Sequence, residues 1–390
     1  MRTGKQIQTI KPLPYPAYLI PILLLAAAGL AISIYLSISH YRNYTDIGYK
    51  SFCAISRAIN CDTVSQSRYA IFAGAPLPVW GCVAYGVFIF LLVVQIRSNT
   101  RERLWPALFL VALLFSLHSV FLALISTVYI KSYCLMCILD YAVNFALLFM
   151  IWIIRKRFDP DSLLAGVKKD IAFISGQRRN VYGFLGVTLG AAFTLSLFFP
   201  AYWEFTVPTM NAKTRTGETG EGHPWIGSAT PEIIIEEYTD YQCFQCRKMH
   251  FFLRKLIAQY PDRIRLVHRH FPMDHRVNPL VKEPFHVGSG AMAVLSIYAM
   301  EQGRFWEFND MLFEWAATEK ELNTGDIAAR FNFDPQAFAA SLNSREKLQT
   351  LRRDIIEGLK LGITGTPAYQ IDGDVYQGHI PPDVLKRFID

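Results

Sequence analysis

The first half of the chain carries five runs of apolar residues, and these runs limit its fold more than any other feature. They span about Tyr18 to Ser39, Val79 to Ile96, Leu104 to Ile130, Cys134 to Ile154, and Tyr182 to Tyr202. Each run is about 20 residues long, which is roughly the length of helix that crosses a bilayer. They explain why the chain is 52% hydrophobic and only 18% charged. The sequence therefore predicts a helical membrane domain with five crossings.

The first run lies near the N-terminus, where a cleaved signal peptide is the alternative interpretation. It follows a basic lead of Arg2, Lys5 and Lys11, and its small residues occur at positions 26–28. A signal peptide has a shorter apolar region, and its small residues come after that region rather than inside it. We therefore predict a retained membrane span.

Basic residues predict the orientation of the chain, because lysine and arginine in short loops favour the cytoplasmic side. One face of the predicted membrane domain carries Arg2, Lys5, Lys11, Arg97, Arg101, Arg103, Arg155, Lys156, Arg157, Lys168, Lys169, Arg178 and Arg179. The other face carries Arg42, Lys50, Arg57, Arg68 and Lys131. This imbalance predicts a cytoplasmic N-terminus and, after five crossings, a C-terminal domain outside the cytoplasm. It also accounts for the net charge of +7 without a nucleic-acid partner.

The chain changes character after the fifth run. Residues 203–230 are rich in threonine, glycine and serine, which predicts a flexible linker with a reach of about 25–30 Å. From about Pro231 to Asp390 the sequence is mixed, charged and amphipathic. That composition predicts a soluble globular domain.

Six of the seven cysteines form three close pairs. They are Cys53 with Cys61, Cys134 with Cys137, and Cys243 with Cys246. The predicted orientation puts all three pairs outside the cytoplasm, where disulfides form and persist. The seventh, Cys82, lies within the second run, where a buried cysteine packs as a small hydrophobic side chain.

Several chemistries fit these pairs. Cys53 and Cys61 suit either a static staple across their loop or a working redox pair. Together with Cys134 and Cys137 they could also provide four thiolates for a zinc ion. Two cysteines three residues apart at a helix end are more typical of a reducible pair than of a structural disulfide.

The third pair follows a strand-like stretch, 233–238, and opens an amphipathic helix at about Cys243. A CxxC motif between a strand and a helix is the thioredoxin-like arrangement. The helix N-terminus stabilises a thiolate on Cys243 and should lower its pKa. Cys246, one turn further on, is then the resolving thiol.

This domain, about residues 231–390, resembles the DsbA-type disulfide oxidoreductases. The Gly-Thr-Pro at 365–367 matches that family's cis-proline loop, which implies a cis bond between Thr366 and Pro367 facing the dithiol. Glu237 matches a buried acid beneath the dithiol. The resemblance also implies a helical insertion between the two motifs. The dipeptide between the cysteines, 244–245, lacks the histidine of the strongest oxidants.

Residues from about 15 to 155 resemble the vitamin K epoxide reductase family. The matching features are the C-x7-C pair, Ser67, Gly74, Pro76, and a CxxC followed four residues later by Tyr141. The resemblance implies a thiol–disulfide relay that ends on a quinone, with Tyr141 and Cys137 beside the ring and Ser67 ordering the loop. Leu77 stands where the animal enzymes have an asparagine, which argues against vitamin K epoxide as the substrate. His118 in the third run offers either a proton route or a packing hydrogen bond.

The sequence thus predicts a multi-domain protein. An α-helical transmembrane bundle, with a four-helix core (1–155), a basic loop and a fifth span (156–202), precedes the linker and an α/β thioredoxin-like domain with a helical insertion (231–390). We predict that Cys243/Cys246 oxidise exported thiol proteins and pass electrons through Cys53/Cys61 and Cys134/Cys137 to ubiquinone or menaquinone, without a metal. The predicted location is the plasma (inner) membrane. The alternatives are an outward-flowing reductase or isomerase and a zinc-bound scaffold.

Overall fold

The computed structural model describes residues 13–56, 58–97, 104–159, 161–176, 178–210, 212–316 and 323–389. Arg2, Lys5, Lys11, Arg57, Arg101 and Arg103, which entered the orientation argument, lie outside these residues. The chain divides into two compact units. One contains the residues up to Thr45 and from Tyr49 to Tyr202, and the other contains Asp46–Gly48 and the residues from Trp203 onwards.

In the residues that the structure describes, the first unit is helical apart from a small two-stranded hairpin. Its helices are α1 (Pro16–Thr45), α2 (Cys61–Gln66), α3 (Leu77–Arg97), α4 (Trp105–Ile125), α5 (Leu135–Phe158), α6 (Leu163–Gly176) and α7 (Arg178–Phe198). The hairpin pairs β1 (Ile71–Phe72) with β2 (Ala75–Pro76). Helix α4 continues into a π-helical turn, Ser126–Ile130.

Four helices among the described residues are long and apolar enough to cross a membrane: α1, α3, α4 with its π-helical turn, and α5. The apolar part of α7, Tyr182–Phe198, is shorter. The four long helices agree with the first four predicted spans. The fifth crossing stays a prediction.

The four long helices pack around an apolar core because each places residues three or four positions apart on its inner face. Examples are Ile22 and Ala26 of α1 and Leu147 and Ile151 of α5, all fully buried. Large apolar side chains such as Phe149 point outwards and are exposed. An apolar exterior is what a lipid-facing bundle requires.

The second unit is built on one six-stranded sheet with the order β3-β4-β6-β5-β7-β8. The strands are β3 (Arg215–Glu218), β4 (Pro224–Gly227), β5 (Ile233–Thr239), β6 (Ile264–His270), β7 (Ala368–Ile371) and β8 (Asp374–Gln377). Strands β5 and β6 are parallel and the other neighbours are antiparallel. The turn between β7 and β8 is formed by Asp372 and Gly373, and both residues have positive φ.

Helices cover this sheet and supply the insertion between the two sequence motifs. They are α8 (Phe244–Gln259), α9 (Ser289–Glu301), α10 (Phe305–Ala316), α11 (Thr324–Phe331), α12 (Pro335–Ser341), α13 (Arg345–Lys360) and α14 (Pro382–Ile389). Helices α9 to α13 lie between the CxxC and the Thr-Pro dipeptide. Aromatic and aliphatic side chains from these helices form one buried cluster with Tyr238 and Phe271. The insertion expected from the resemblance is therefore present.

The structure differs from the prediction that residues 203–230 form a flexible linker. Strands β3 and β4 lie within that segment, and β4 pairs with β6. Ile226 is 2% exposed, and Phe205 stacks on Phe251 with a ring separation of 5.6 Å. The physical reason is that Trp225 and Ile226 bring apolar surface that is buried when β4 pairs with β6, and the surrounding glycine and threonine residues form the β3–β4 hairpin. The folded domain begins well before Pro231.

Candidate functional site

The dithiol of the second unit lies where β5 ends and α8 begins. Cys243 is the residue before α8, and its Sγ accepts a hydrogen bond from the backbone N–H of Cys246 at 3.3 Å. Cys243 is half-buried, whereas Cys246 is 2% exposed. The first cysteine is therefore accessible to another thiol, and the second is held beneath it.

The surroundings of Cys243 lower the pKa of its thiol to about 7. The largest cause is the hydrogen bond from the Cys246 thiol, and the electrostatic effect of His286 acts in the same direction against the cost of burial. Burial raises the pKa of Cys246 well above its usual range. Near neutral pH, Cys243 is the thiolate of the pair. The direction agrees with the sequence prediction, which did not include His286.

Alkylation of the reduced protein should report this asymmetry. Because a depressed pKa leaves the thiolate populated above it, the rate at Cys243 should fall as the pH drops through about 7. Replacing His286 with glutamine should move that midpoint to higher pH, because a favourable charge is lost. The measurement is iodoacetamide labelling against pH, followed by mass spectrometry of the Cys243 peptide. A midpoint near the unperturbed value of a cysteine, about 8.5, would contradict the prediction.

The proline loop faces this dithiol. The Thr366–Pro367 peptide bond is cis, as predicted. The thiol of Cys243 donates to the carbonyl oxygen of Thr366 at 3.5 Å. Two motifs separated by more than a hundred residues thus meet at one sulfur atom.

Glu237 is buried in the sheet next to two histidines that the sequence analysis did not identify. It is 2% exposed, and Nδ1 of His268 lies 2.9 Å from its Oε1. Nε2 of His268 in turn lies 3.1 Å from Nδ1 of His270. Burial raises the pKa of Glu237 to about 7 and lowers the pKa of both histidines, so the histidines are neutral. Their alternate positions in β6 were the available signal, since they place both rings on one face.

In the first unit, Cys53 and Cys61 form a disulfide, with a Cα–Cα distance of 5.6 Å. Both residues are buried. Cys61 opens α2, whose first turn is capped by the side chain of Asn60. The cap fixes the backbone at Cys61, so this sulfur has a defined position at the end of a helix.

A backbone clamp brings this loop to the second cysteine pair. The N–H of Asn60 donates to the carbonyl of Tyr133 at 2.9 Å, and the N–H of Tyr133 donates to the carbonyl of Ala58 at 2.8 Å. The next residue on each side is a cysteine, Cys61 on one and Cys134 on the other. Cys53, Cys61 and Cys134 accordingly form one buried cluster, with Cys137 packed against it.

Cys134 and Cys137 repeat the arrangement of the other CxxC motif. Cys134 is the residue before α5, and its Sγ accepts from the backbone N–H of Cys137 at 3.1 Å. Cys134 is 3% exposed, and Cys137 lies one turn further along the helix. This pair can therefore exchange with the loop disulfide on one side and present Cys137 to a neighbouring space on the other.

That space is a cavity of about 430 Å³ within the first unit. Its lining includes the predicted residues Cys61, Ser67, Cys134, Cys137 and Tyr141, and also Leu77 and His118. Tyr141 shares a helix face with Cys137, one turn away. Besides lining the cavity, Ser67 caps the C-terminal end of α2, where its hydroxyl donates to the carbonyl oxygen of Val64 at 2.8 Å.

The cavity also contains polar residues that the sequence analysis passed over. Tyr85, Asp140 and Asn144 all belong to its lining and are joined by hydrogen bonds. A carboxyl group inside an apolar run was a visible signal, because ionisable residues in spans are rare and functional by default. That Tyr85 lies opposite this carboxyl group could be seen only in the structure, because the tyrosine belongs to α3 and the carboxyl group to α5.

Among the described residues, Glu221, His223 and Glu357 have the spacing of a metal site. The guanidinium group of Arg269 lies between them and pairs with Glu357 at 2.7 Å and with Glu221 at 3.0 Å. A cation is therefore already part of this group. Its geometry is that of an arginine-centred ion network.

Fold and site together define a class of protein. A helical membrane domain holds two cysteine pairs beside one cavity, and a thioredoxin-like domain with a third pair follows in the same chain. The vitamin K epoxide reductase family model matches residues 20–152, and a thioredoxin model matches residues 219–390. The chain thus joins a membrane region that matches the vitamin K epoxide reductase family model to a thioredoxin-like domain.

Three curated proteins are similar to parts of this chain. The chain is 26% identical over 177 residues to the probable disulfide bond formation protein D of Bacillus anthracis, covering 42% of this chain and 76% of that protein. It is 28% identical over 143 residues to vitamin K epoxide reductase complex subunit 1 of Mus musculus, covering 33% and 84%. It is 26% identical over 166 residues to the Na+/H+ antiporter NhaA 3 of Salinispora tropica, covering 42% and 24%. The chain therefore spans only about a quarter of the antiporter's length.

Proposed function

We propose that this protein is a membrane thiol–disulfide oxidoreductase that makes disulfides in exported proteins and delivers the electrons to a quinone. The observation that carries the proposal is the clamp that places Cys61 beside Cys134, with Cys137 next to the cavity. Electrons pass from Cys243/Cys246 to Cys53/Cys61, then to Cys134/Cys137. The name of the Bacillus anthracis relative supports disulfide formation as the direction.

The reaction at the outer dithiol follows from the asymmetry of its two thiols. A thiolate of the exported protein attacks Cys243 in the Cys243–Cys246 disulfide, and Cys246 leaves and takes a proton, since its pKa is raised by burial. A second substrate thiol then attacks the mixed disulfide. Cys243 leaves as the thiolate because its pKa is low. The substrate has lost two electrons, and the outer pair is reduced.

The first unit then reoxidises the outer pair. The thiols of Cys243 and Cys246 reduce the Cys53–Cys61 disulfide by exchange. Cys61, clamped beside Cys134, in turn reduces a Cys134–Cys137 disulfide. Each step breaks one S–S bond and forms another, so every exchange moves two electrons and two protons one cysteine pair closer to the quinone.

The quinone fits the cavity by size and by lining. A volume of about 430 Å³ lies within the range for small-molecule sites, about 300–1,000 Å³. When bound, the quinone supplies an acceptor for two electrons and two protons. Cys137 faces that acceptor, and Tyr141 on the same helix face donates a hydrogen bond that orients one of its carbonyl oxygens. Ubiquinone and menaquinone both have a carbonyl-bearing ring that suits a site lined by Cys137 and Tyr141.

The quinone also provides the driving force. Each substrate disulfide leaves the outer pair reduced, because Cys243 departs from the mixed disulfide as a thiolate. Continuous removal of its electrons to a membrane quinone keeps it in the disulfide form.

The proposal places all three cysteine pairs outside the cytoplasm, on a plasma-membrane protein with its N-terminus inside. Exported thiol proteins and the bilayer are its partners. The zinc-bound scaffold is the weaker candidate, because Cys53 and Cys61 are joined to each other and so provide no thiolates.

Purified protein in liposomes containing ubiquinone or menaquinone tests the direction. A reduced peptide with two cysteines should gain a disulfide while one quinone per disulfide is reduced, measured by the ultraviolet absorbance of the quinone. Liposomes without quinone are the control and should stop once the cysteine pairs of the protein are reduced, after at most three peptide disulfides per protein. Peptide oxidation that continues without quinone, or electrons that flow from quinol to an oxidised peptide, would contradict the proposal and favour the outward-flowing reductase.

A further inference from the structure

A hydrogen-bonded group of four polar side chains lies in the bundle beside Cys137. Tyr85 comes from α3, Ser119 from α4, and Asp140 and Asn144 from α5. Tyr85, Ser119 and Asn144 are 3%, 2% and 5% exposed. Asp140 is part of the cavity lining, between Cys137 and Tyr141 on the first turns of α5. No lysine or arginine occurs among the described residues of that lining.

The orientation of the Asn144 amide is fixed by Ser119. The Ser119 hydroxyl donates its single proton to the carbonyl oxygen of Phe115 at 2.9 Å. Ser119 Oγ can then only accept, and Asn144 Nδ2 donates to it at 3.0 Å. The same Nδ2 lies 3.3 Å from Asp140 Oδ2. The other end of the amide, Oδ1, is therefore the atom that faces Tyr85.

Proton counting around Tyr85 then assigns a proton to Asp140. Tyr85 Oη lies 2.7 Å from Asn144 Oδ1 and 2.8 Å from Asp140 Oδ1. A tyrosine hydroxyl has one proton, and an amide oxygen has none. If that proton went to Asp140, Tyr85 Oη and Asn144 Oδ1 would lie 2.7 Å apart with no hydrogen between them. Both contacts are satisfied when Tyr85 donates to Asn144 and a protonated Asp140 donates to Tyr85.

The position of Tyr85 is set by close packing and not only by hydrogen bonds. Gly29 of α1 faces the Tyr85 ring, and a Cβ atom at Gly29 would lie 2.1 Å from the ring carbon Cζ. Only glycine allows the tyrosine to approach α1 at this point. The Tyr85 hydroxyl is thereby held over Asp140.

We propose that Asp140 is a protonated carboxyl that delivers a proton into the cavity when the Cys134–Cys137 dithiol is oxidised, with Tyr85 and Asn144 as positioning residues. The inference rests on the proposed function, whose quinone is the proton acceptor. Oxidation of the two thiols breaks two S–H bonds, forms one S–S bond and releases two electrons and two protons. Asp140 passes its own proton to one quinone oxygen and takes one back from the Cys137 thiol, so the carboxyl ends as it began. The proton of the Cys134 thiol goes to the second quinone oxygen, which completes the two protons.

The other titratable groups of the cavity are less suited to this step. They are His40, Tyr69, Tyr85, His118, Tyr141 and the thiols themselves. Asp140 lies three positions after Cys137 on the same helix. The hydrogen-bond pattern around Tyr85 also requires Asp140 to carry a proton. The neighbouring Tyr141 keeps its proposed role of orienting the acceptor.

Infrared spectroscopy of the quinone-free protein tests the protonation state directly. A carboxylic acid has a C=O stretching band that a carboxylate lacks. Wild-type protein at pH 7 should show such a band that disappears in Asp140→Asn and shifts in Tyr85→Phe, which removes its hydrogen-bond partner. Absence of any difference between wild type and Asp140→Asn in this region would overturn the inference, whether or not the protein reduces quinone.

Kinetics provides the second measurement. Asp140→Asn should slow quinone reduction about 100-fold, since general acid catalysis contributes about that much or more. Exchange between the loop disulfide and dithiothreitol, monitored without quinone, should keep its wild-type rate, which also shows that the variant is folded. Equal loss in both assays would mean a structural role and would overturn the inference. A wild-type protein that never reduces quinone would instead remove the proposed function, while the infrared result would still decide the state of Asp140.

Discussion

Replacing Cys137 with alanine is expected to abolish quinone reduction, with a loss of about 1,000-fold or more. Cys137 is the thiol of its pair that the proposal sets against the quinone, and Cys134 cannot complete an intramolecular disulfide without it. Exchange with the loop should then stop at an intermediate. Cys134 attacks Cys61, Cys53 is released as a thiol, and a Cys61–Cys134 disulfide accumulates. Quinone absorbance and mass spectrometry of non-reduced digests measure the two effects.

Cys82→Ala is the matched control, because Cys82 lies in α3, outside the three pairs, and its thiol contacts Ser37. It should keep both the activity and the native loop disulfide. Wild-type quinone reduction in Cys137→Ala would contradict the terminal role of this thiol. A disulfide between Cys53 and Cys134, in place of the expected one, would contradict the order that the backbone clamp supports.

Replacing Cys243 with alanine should separate the activities of the two domains. Oxidation of a reduced peptide is expected to fall about 1,000-fold or more, because the variant has no accessible thiol to form the mixed disulfide. Dithiothreitol is small enough to reduce the Cys53–Cys61 disulfide directly. Quinone reduction driven by dithiothreitol should therefore stay at the wild-type level. The two rates are measured on the same liposomes.

Cys246→Ala serves as the companion variant. It keeps the attacking residue. Given a peptide whose single cysteine is joined to a small thiol by a disulfide, Cys243 should displace the small thiol and hold the peptide as a mixed disulfide, visible as a mass increase, because no second thiol is present to resolve it. Equal loss of the peptide-driven and dithiothreitol-driven reactions in Cys243→Ala would mean that the first unit does not act on its own disulfide, and the proposed order of transfer would be incorrect.

Much of the site was predictable because its signals are local. The three cysteine pairs, the Thr366–Pro367 loop and Tyr141 were all identified from spacing and resemblance. The structure then placed Cys243 against Thr366 and Cys137 beside the same cavity as Tyr141. Helix starts at both CxxC motifs were predictable for the same reason, since a helix N-terminus needs only a few neighbouring residues.

The segment 203–230 shows where composition misleads. Threonine, glycine and serine are common both in linkers and in tight hairpins, so their frequency does not distinguish the two. What decided the outcome was the pairing of β4 with β6, a strand some forty residues further along the chain. Strand pairing of this kind depends on partners that a local pattern does not contain.

From the sequence alone, the six paired cysteines, the Thr366–Pro367 loop and Tyr141 could be identified as candidates for the chemistry, and each could be assigned to its domain. The length of the apolar runs, the cysteine spacings and the turn residues act over a few positions, so they can be recognised without knowing the fold. Which groups meet became visible with the packed structure: Cys61 with Cys134, Glu237 with His268, and Asp140 with Tyr85. These contacts join residues far apart in the chain, and they depend on how helices and strands pack.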